Sequence, residues 1–152
     1  MLAAGYAYHC FCDQERLEEL RARQRAAGAP PRYDRRCATL SQVEVERRLA
    51  AGEPAAVRLR APGRDTVVDD LLRGPVRFGP DAFGDFIILR SDGVAGYNFA
   101  AAVDDRDMAI THVIRGDDHL ANTARQLAVF TALGACPPAY AHHGMIHDPE
   151  GG

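Results

Sequence analysis

Cys10-Phe11-Cys12 sets two thiols one residue apart, and Cys37 follows 25 residues after Cys12. Two thiols at that spacing bond each other poorly, but both can ligate one ion where the backbone turns. With Cys37 they supply three thiolates, and one further donor completes a tetrahedral zinc site. Tyr33 lies four residues before Cys37. The same three cysteines also suit small, buried apolar positions. Spacing leaves both readings open. Cys136, beside Pro137-Pro138, has no partner at a ligand spacing and reads as structural.

The second group is Ile114-Arg115-Gly116-Asp117-Asp118-His119. Arg115 falls at the carboxyl end of an apolar strand, where ligands bind in open α/β sheets. A guanidinium there offers a two-pronged match to a carboxylate or phosphate. Gly116 lets the chain turn closely before the acids start a helix. The competing reading ties Arg115 to Asp117 or Asp118 with no ligand. Three adjacent residues at a helix start rarely converge on one ion, so Asp117, Asp118 and His119 make a poor metal set. Asp104-Asp105 suits capping or salt-bridging better than a shared-proton pair, since neighbours on a helix point about 100° apart. His142, His143 and His147 lack a clean ligand spacing and read as surface or strand-end residues.

These residues need elements to hold them. A helix is predicted over 13–27: Asp13 caps it, acids fill its start, arginines its end, and Glu19–Arg23 pairs at i,i+4. Gly28 and Pro30-Pro31 stop it. Leu17 and Leu20 are its only apolar stripe, so it lies on a surface. Ser41 with Glu44 forms a capping box for a second helix, whose Val45 and Leu49 face inward. The period then changes. Val57 and Leu59 alternate as a half-exposed strand, and 67–68, 76–78 and 86–89 are further strands, the last ended by Asp92-Gly93. Beyond it the order is helix 97–103, buried strand 110–114, helix 118–133, strand 140–146. That alternation predicts a parallel α/β sheet. Two strands and two helices are too few to cover such a sheet on both faces, so the chain reads as a piece of something longer.

Composition narrows the chemistry. All 18 basic residues among the 152 are arginine, so lysine Schiff-base or P-loop lysine chemistry is excluded for these residues. No Gly-rich phosphate loop and no G-x-S-x-G motif occurs. Hydrophobic content of 47% and charged content of 26% fit a globular domain. No apolar run approaches a membrane span and the start is a poor signal peptide, so a cytoplasmic protein with free or metal-bound thiols is expected. Net charge is −3, yet residues 1–60 carry eleven arginines against eight acids and the remainder seven against thirteen. A basic front would meet a polyanion; solvated helix faces of differing sign explain it equally well.

One block of wording is more specific than any of this. Gly96-Tyr97-Asn98-Phe99-Ala100, Val103-Asp104-Asp105, Met108 to Gly116, Asp117-Asp118-His119-Leu120, Asn122-Thr123 and Arg125-Gln126 closely resemble the catalytic domain of bacterial glutamyl-tRNA synthetase. Ala7-Tyr8, Cys10-Phe11-Cys12, Pro31 to Asp34 with Cys37, and Phe86 to Gly93 match the same family in order. The resemblance covers nearly the whole chain. It implies the second half of a class I synthetase Rossmann-type parallel sheet with an inserted α+β acceptor-stem-binding domain. Residues 1–90 would be mostly the insert and 91–152 the returning half of the catalytic fold.

The resemblance further implies ATP- and Mg²⁺-dependent activation of L-glutamate and its transfer to the 3′ end of tRNA(Glu), in a monomeric parent enzyme. Tyr97 and Arg115 resemble the glutamate-binding pair, and Asp118 lies where an acid approaches ATP. Met145 and Ile146 fall where backbone meets adenine. Zinc-bearing members complete a C-x-C pair with a third cysteine and a further ligand. Cys10, Cys12 and Cys37 fit, and the usual last position is Thr39, a poor donor. Tyr33 fits the Tyr-x₃-Cys arrangement of the glutamyl-Q tRNA(Asp) synthetase relative. The sequence departs from the family at Gly96, Asp117 and Gly144, where Thr, Glu and Pro are usual. The family's HIGH motif would precede Met1 and its lysine-bearing KMSKS loop would follow Gly152. The 152 residues alone are therefore expected to make no adenylate. Two other readings are a non-catalytic, zinc-containing acceptor-binding module and the glutamyl-Q relative.

Overall fold

The computed structural model describes residues 1–144. They fall into two compact units, one of residues 1–61 with 83–97 and one of 62–82 with 98 onward.

The first unit holds β1 (Ala7–Cys10), α1 (Gln14–Ala26), a 3-10 turn (Arg36–Thr39), α2 (Gln42–Ala50), β2 (Ala56–Leu59) and β5 (Phe86–Leu89). Its antiparallel sheet runs β1-β2-β5. Asp13 caps α1 as predicted, accepting the Arg16 N–H at 2.8 Å, and Leu20 is the one residue the helix fully buries. Glu19 and Arg23 are not among the ion pairs of the described residues; Arg16 pairs with Asp34 instead. The capping box on α2 is half made. Ser41 accepts the Glu44 N–H at 3.2 Å, but the Glu44 carboxylate turns to Arg47 and Arg48. Leu49 is 41% exposed rather than facing inward. The expected half-exposed strand at 57–59 is instead buried throughout, Arg58 included, because β2 is the middle strand of its sheet.

The second unit holds β3 (Thr66–Asp70), β4 (Gly74–Phe78), α3 (Tyr97–Asp107, its first residue counted with the first unit), β6 (His112–Gly116), α4 (Leu120–Leu133) and β7 (Ala139–His143). A 3-10 turn, Asp117–His119, leads into α4. β6 and β7 pair in parallel across the α4 crossover, which is the predicted α/β rhythm. The β3–β4 hairpin extends that sheet, giving the order β4-β3-β7-β6 with β3 parallel to β7. A strand edge exposes unpaired N–H and C=O groups. Here the Leu71 N–H bonds the Tyr140 carbonyl at 2.8 Å. The compact units thus divide the chain at three points, whereas the sequence reading places one boundary near residue 90.

α4 buries Thr123, Ala124, Gln126, Val129 and Phe130, positions i, i+1, i+3, i+6 and i+7 that share one helix face. Gly134 ends it in the left-handed conformation at φ 65. The strand at 112–116 is less buried than expected. It lies at the sheet edge, and Ile114 is 71% exposed.

Candidate functional site

In the first unit, β1 carries Cys10 and leads to Cys12, while the 3-10 turn returns Cys37 to them. That return needs a sharp reversal at Arg35, a non-glycine residue at φ 60. Such a conformation is strained and persists only where surroundings enforce it. Arg35 donates from Nε and Nη2 to the buried Asp85 at 3.1 and 2.8 Å. Asp85 also accepts the Tyr8 hydroxyl at 2.7 Å and the Ala61 N–H at 2.8 Å. One carboxylate therefore ties the turn to β1 and to the end of β2.

The three Sγ atoms lie within 4.8 Å of one another. Cys12 and Cys37 are 3.6 Å apart. The Tyr33 hydroxyl stands 3.5 Å from Cys10 Sγ and 3.4 Å from Cys12 Sγ. Around tetrahedral zinc, ligand bonds of about 2.3 Å to sulfur and 2.0 Å to oxygen imply S···S near 3.8 Å and S···O near 3.5 Å. The Cys12–Cys37 spacing and the two Tyr33 spacings match that set, and the other sulfur pairs lie within 4.8 Å. Thr39 does not join it: its hydroxyl donates to the Arg36 carbonyl at 3.3 Å. The Cys37 N–H donates to the Tyr33 hydroxyl at 3.0 Å.

Charge around the cluster is uneven. Burial works against a Cys10 thiolate, yet bonds from Tyr33, Arg58 and the Cys12 backbone, with the Arg58 charge, hold it below its ordinary value. Burial and the neighbouring thiolates push Cys12 up to about 11. Burial and hydrogen bonds to the three thiols raise Tyr33 well above the usual phenol range. The Arg58 guanidinium lies 3.9 Å over the Tyr33 ring, a cation beside the donor set. Its buried place was not legible from the alternation of β2.

In the second unit the site centres on Arg115, at the carboxyl end of β6. Its Nε donates to His142 Nε2 at 3.2 Å, and its Nη2 donates to Thr123 Oγ1 at 2.6 Å and Gln126 Oε1 at 2.8 Å. The Tyr140 ring lies 5.7 Å from its guanidinium carbon. Asp117 is claimed by Arg73 and does not hold Arg115. Asp118, its side chain 59% exposed, sits within reach of His119 at 3.6 Å. Among the described residues no ion pair neutralises Arg115. A Cβ at Gly116 would meet only the Asp118 side chain, its Oδ1 at 2.6 Å, the far end of an exposed side chain that can swing aside.

Behind Arg115 stands a pair that the sequence reading missed. His142 is fully buried, not a surface residue, and its Nδ1 lies 2.6 Å from the buried Asp70 Oδ2. Asp70 also accepts backbone N–H groups of Leu72, Arg73 and His142. Burial alone would raise the Asp70 carboxyl, but these bonds, His142 foremost, hold it near about 2. A carboxylate ending a strand, and polar Thr123 and Gln126 on the apolar stripe of α4, were the available signals. Tyr97 opens α3, 56% exposed, and is counted with the first unit. Met145 and Ile146 lie outside the described residues.

A guanidinium at a strand end, held by neutral partners, beside a parallel βαβ sheet, defines a class. Residues 1–151 match the family of class I tRNA synthetases (E and Q), catalytic domain, and the chain belongs to that family. Within it the chain is 51% identical to glutamate–tRNA ligase 1 of Halorhodospira halophila over 150 residues, which cover 98% of this chain and 31% of that protein. Glutamate–tRNA ligase 1 of Acidithiobacillus ferrooxidans is also 51% identical, over 99% of this chain and 31% of its own length. The fold superposes on a solved glutamate–tRNA ligase from Elizabethkingia meningosepticum in complex with its amino acid. The TM-score is 0.89 and the identity 32%, over 99% of this chain and 32% of that one. The chain thus spans about a third of these relatives. The mixed α/β fold with its parallel strands β3, β7 and β6 is that of a class I catalytic region, as the sequence implies. The likeness favours the glutamate–tRNA ligases over the binding module and the glutamyl-Q relative.

Proposed function

We propose that these residues are part of the catalytic region of an ATP-dependent, Mg²⁺-requiring glutamate–tRNA ligase acting in the cytoplasm. In this reading ATP activates the L-glutamate carboxylate as an adenylate, and glutamate then passes to the 3′ end of tRNA(Glu). Arg115 pairs with a carboxylate of the substrate, Tyr97 contacts glutamate, and Asp118, Met145 and Ile146 lie towards ATP. The observation that carries the reading is Arg115, whose three hydrogen-bond partners carry no formal negative charge and which makes no ion pair among the described residues. Gln126 Nε2 and Tyr140 Oη in the same cluster are buried with no hydrogen-bond partner among the described residues, a cost of roughly 1–3 kcal/mol each unless something polar meets them. No helix of the described residues is long and apolar enough to cross a membrane. Residues 1–90 are read mostly as the insert that meets the acceptor stem.

The test is glutamate-dependent ATP–pyrophosphate exchange by the full-length protein carrying this chain. Arg115→Ala should lower kcat/KM for glutamate by roughly a hundredfold, as expected for losing a charge-assisted bond of about 3 kcal/mol. Exchange that ignores glutamate would overturn the assignment.

The same reading gives the first unit a structural Zn²⁺ held by Cys10, Cys12, Cys37 and Tyr33. Such an ion would fix β1 and the 3-10 turn together. The matching S···S and S···O spacings support it. Metal analysis should return one zinc per chain, with Cys37→Ser reducing it strongly. Unchanged stoichiometry in that variant would remove the site.

A further inference from the structure

The pair behind Arg115 has an enforced polarity. An arginine Nε–H can only donate. The His142 Nε2 facing it at 3.2 Å must therefore accept. A neutral imidazole that accepts at Nε2 carries its proton at Nδ1. That nitrogen faces Asp70 Oδ2 at 2.6 Å, and an ionised carboxylate can only accept. Thr123 fits the same scheme. Its oxygen accepts from Arg115 Nη2 at 2.6 Å, which leaves its hydrogen for His142 Nε2 at 3.0 Å. Every donor meets an acceptor under one tautomer only. Nε and Nη2 of Arg115 are thereby occupied, and Nη1 has no acceptor among the described residues.

We propose that Asp70 and His142 are positioning residues: Asp70 locks His142 in the Nδ1–H tautomer, so that Nε2 holds Arg115 Nε and turns Nη1 towards the substrate carboxylate. The proposal rests on the reading that Arg115 contacts glutamate. Both residues lie behind the guanidinium and touch no substrate. Carboxylate–histidine pairs fix ring orientation in this way where an imidazole must present one defined nitrogen. Asp70 joins the hairpin to β7, so the hairpin contributes to substrate binding without reaching the ligand.

In the full-length protein, Asp70→Asn presents an amide N–H to His142 Nδ1. The ring then favours the Nε2–H tautomer, which sets two donors against each other at Arg115. Nitrogen-15 histidine spectra should show His142 as Nδ1–H in the wild type and Nε2–H in Asp70→Asn. The KM for glutamate should rise roughly tenfold or more while the KM for ATP holds. His142→Gln, which can place an acceptor near the Nε2 position, should recover part of the loss seen in His142→Asn. If Asp70→Asn does not fold, the wild-type spectrum and the two His142 variants decide. A wild-type Nε2–H or charged His142, equal rises in both KM values, or identical Gln and Asn variants would each overturn the pair. Wild-type exchange that ignores glutamate would instead overturn the ligase reading, and the tautomer spectrum still reports on the pair.

Discussion

At the residue scale, the decisive fact about Arg115 is that its hydrogen-bond partners are not carboxylates; Asp105 acts on it through its charge without an ion pair. An arginine paired with Asp117 would have spent its charge within the chain. Arg73 takes Asp117 instead, and His142, Thr123 and Gln126 orient Arg115 without neutralising it. The charge in this cluster is carried behind it, on Asp70. That carboxyl is held at about 2, below its unfolded value near 3.9. A depressed carboxyl contributes stability that is complete above the unfolded value and is lost as pH falls through the folded one. Acid unfolding followed by circular dichroism should therefore show a stability loss between about pH 4 and pH 2 that Asp70→Asn flattens.

At the element scale, the turn at 35–39 matters more than its length suggests. It places Cys37 against β1, and its strained Arg35 is held by one buried carboxylate. Asp85→Ala would leave the Tyr8 hydroxyl and the Ala61 N–H without their partner and release Arg35. Arg35 is half-exposed, so its share is modest; the buried bonds dominate. A loss of about 2–3 kcal/mol is expected in chemical denaturation, with faster thiol labelling of Cys37. Labelling at the wild-type rate would show that Asp85 does not hold the turn. The β3–β4 hairpin plays the corresponding part in the second unit, delivering Asp70 to β7 from 72 residues away.

At the scale of the whole molecule, the chain builds two cores from interleaved segments. The first packs around Tyr8, Cys10, Cys37 and Leu59, the second around Val68, Phe130, Tyr140 and His142. Only the first contains the thiol cluster. If zinc fills that cluster, its binding energy belongs to the folding of that unit. Chelation should then raise hydrogen exchange in residues 1–61 and 83–97 and leave the protection of β6, α4 and β7 unchanged. Uniform deprotection would argue against a metal confined to one unit.

Much of this is legible in the sequence. The α1 cap, the helical span of α4, the βαβ rhythm and the position of Arg115 at a strand end follow from local rules of periodicity and capping. The block from Tyr97 to Gln126 carried the family. The three thiols were legible as donors, since residue type decides that much. What local pattern could not supply was which distant groups meet. Arg58 reads as the exposed position of an alternating strand, and His142 as a strand-end histidine. Both are buried because of strand partners chosen elsewhere in the chain. Asp70 becomes a partner of His142 only once the hairpin pairs with β7. Sequence by itself determined the donors, the charges and the elements. Tertiary structure decided which charges are matched and that Arg115 makes no ion pair among the described residues, because that depends on long-range sheet pairing and burial that no local periodicity encodes.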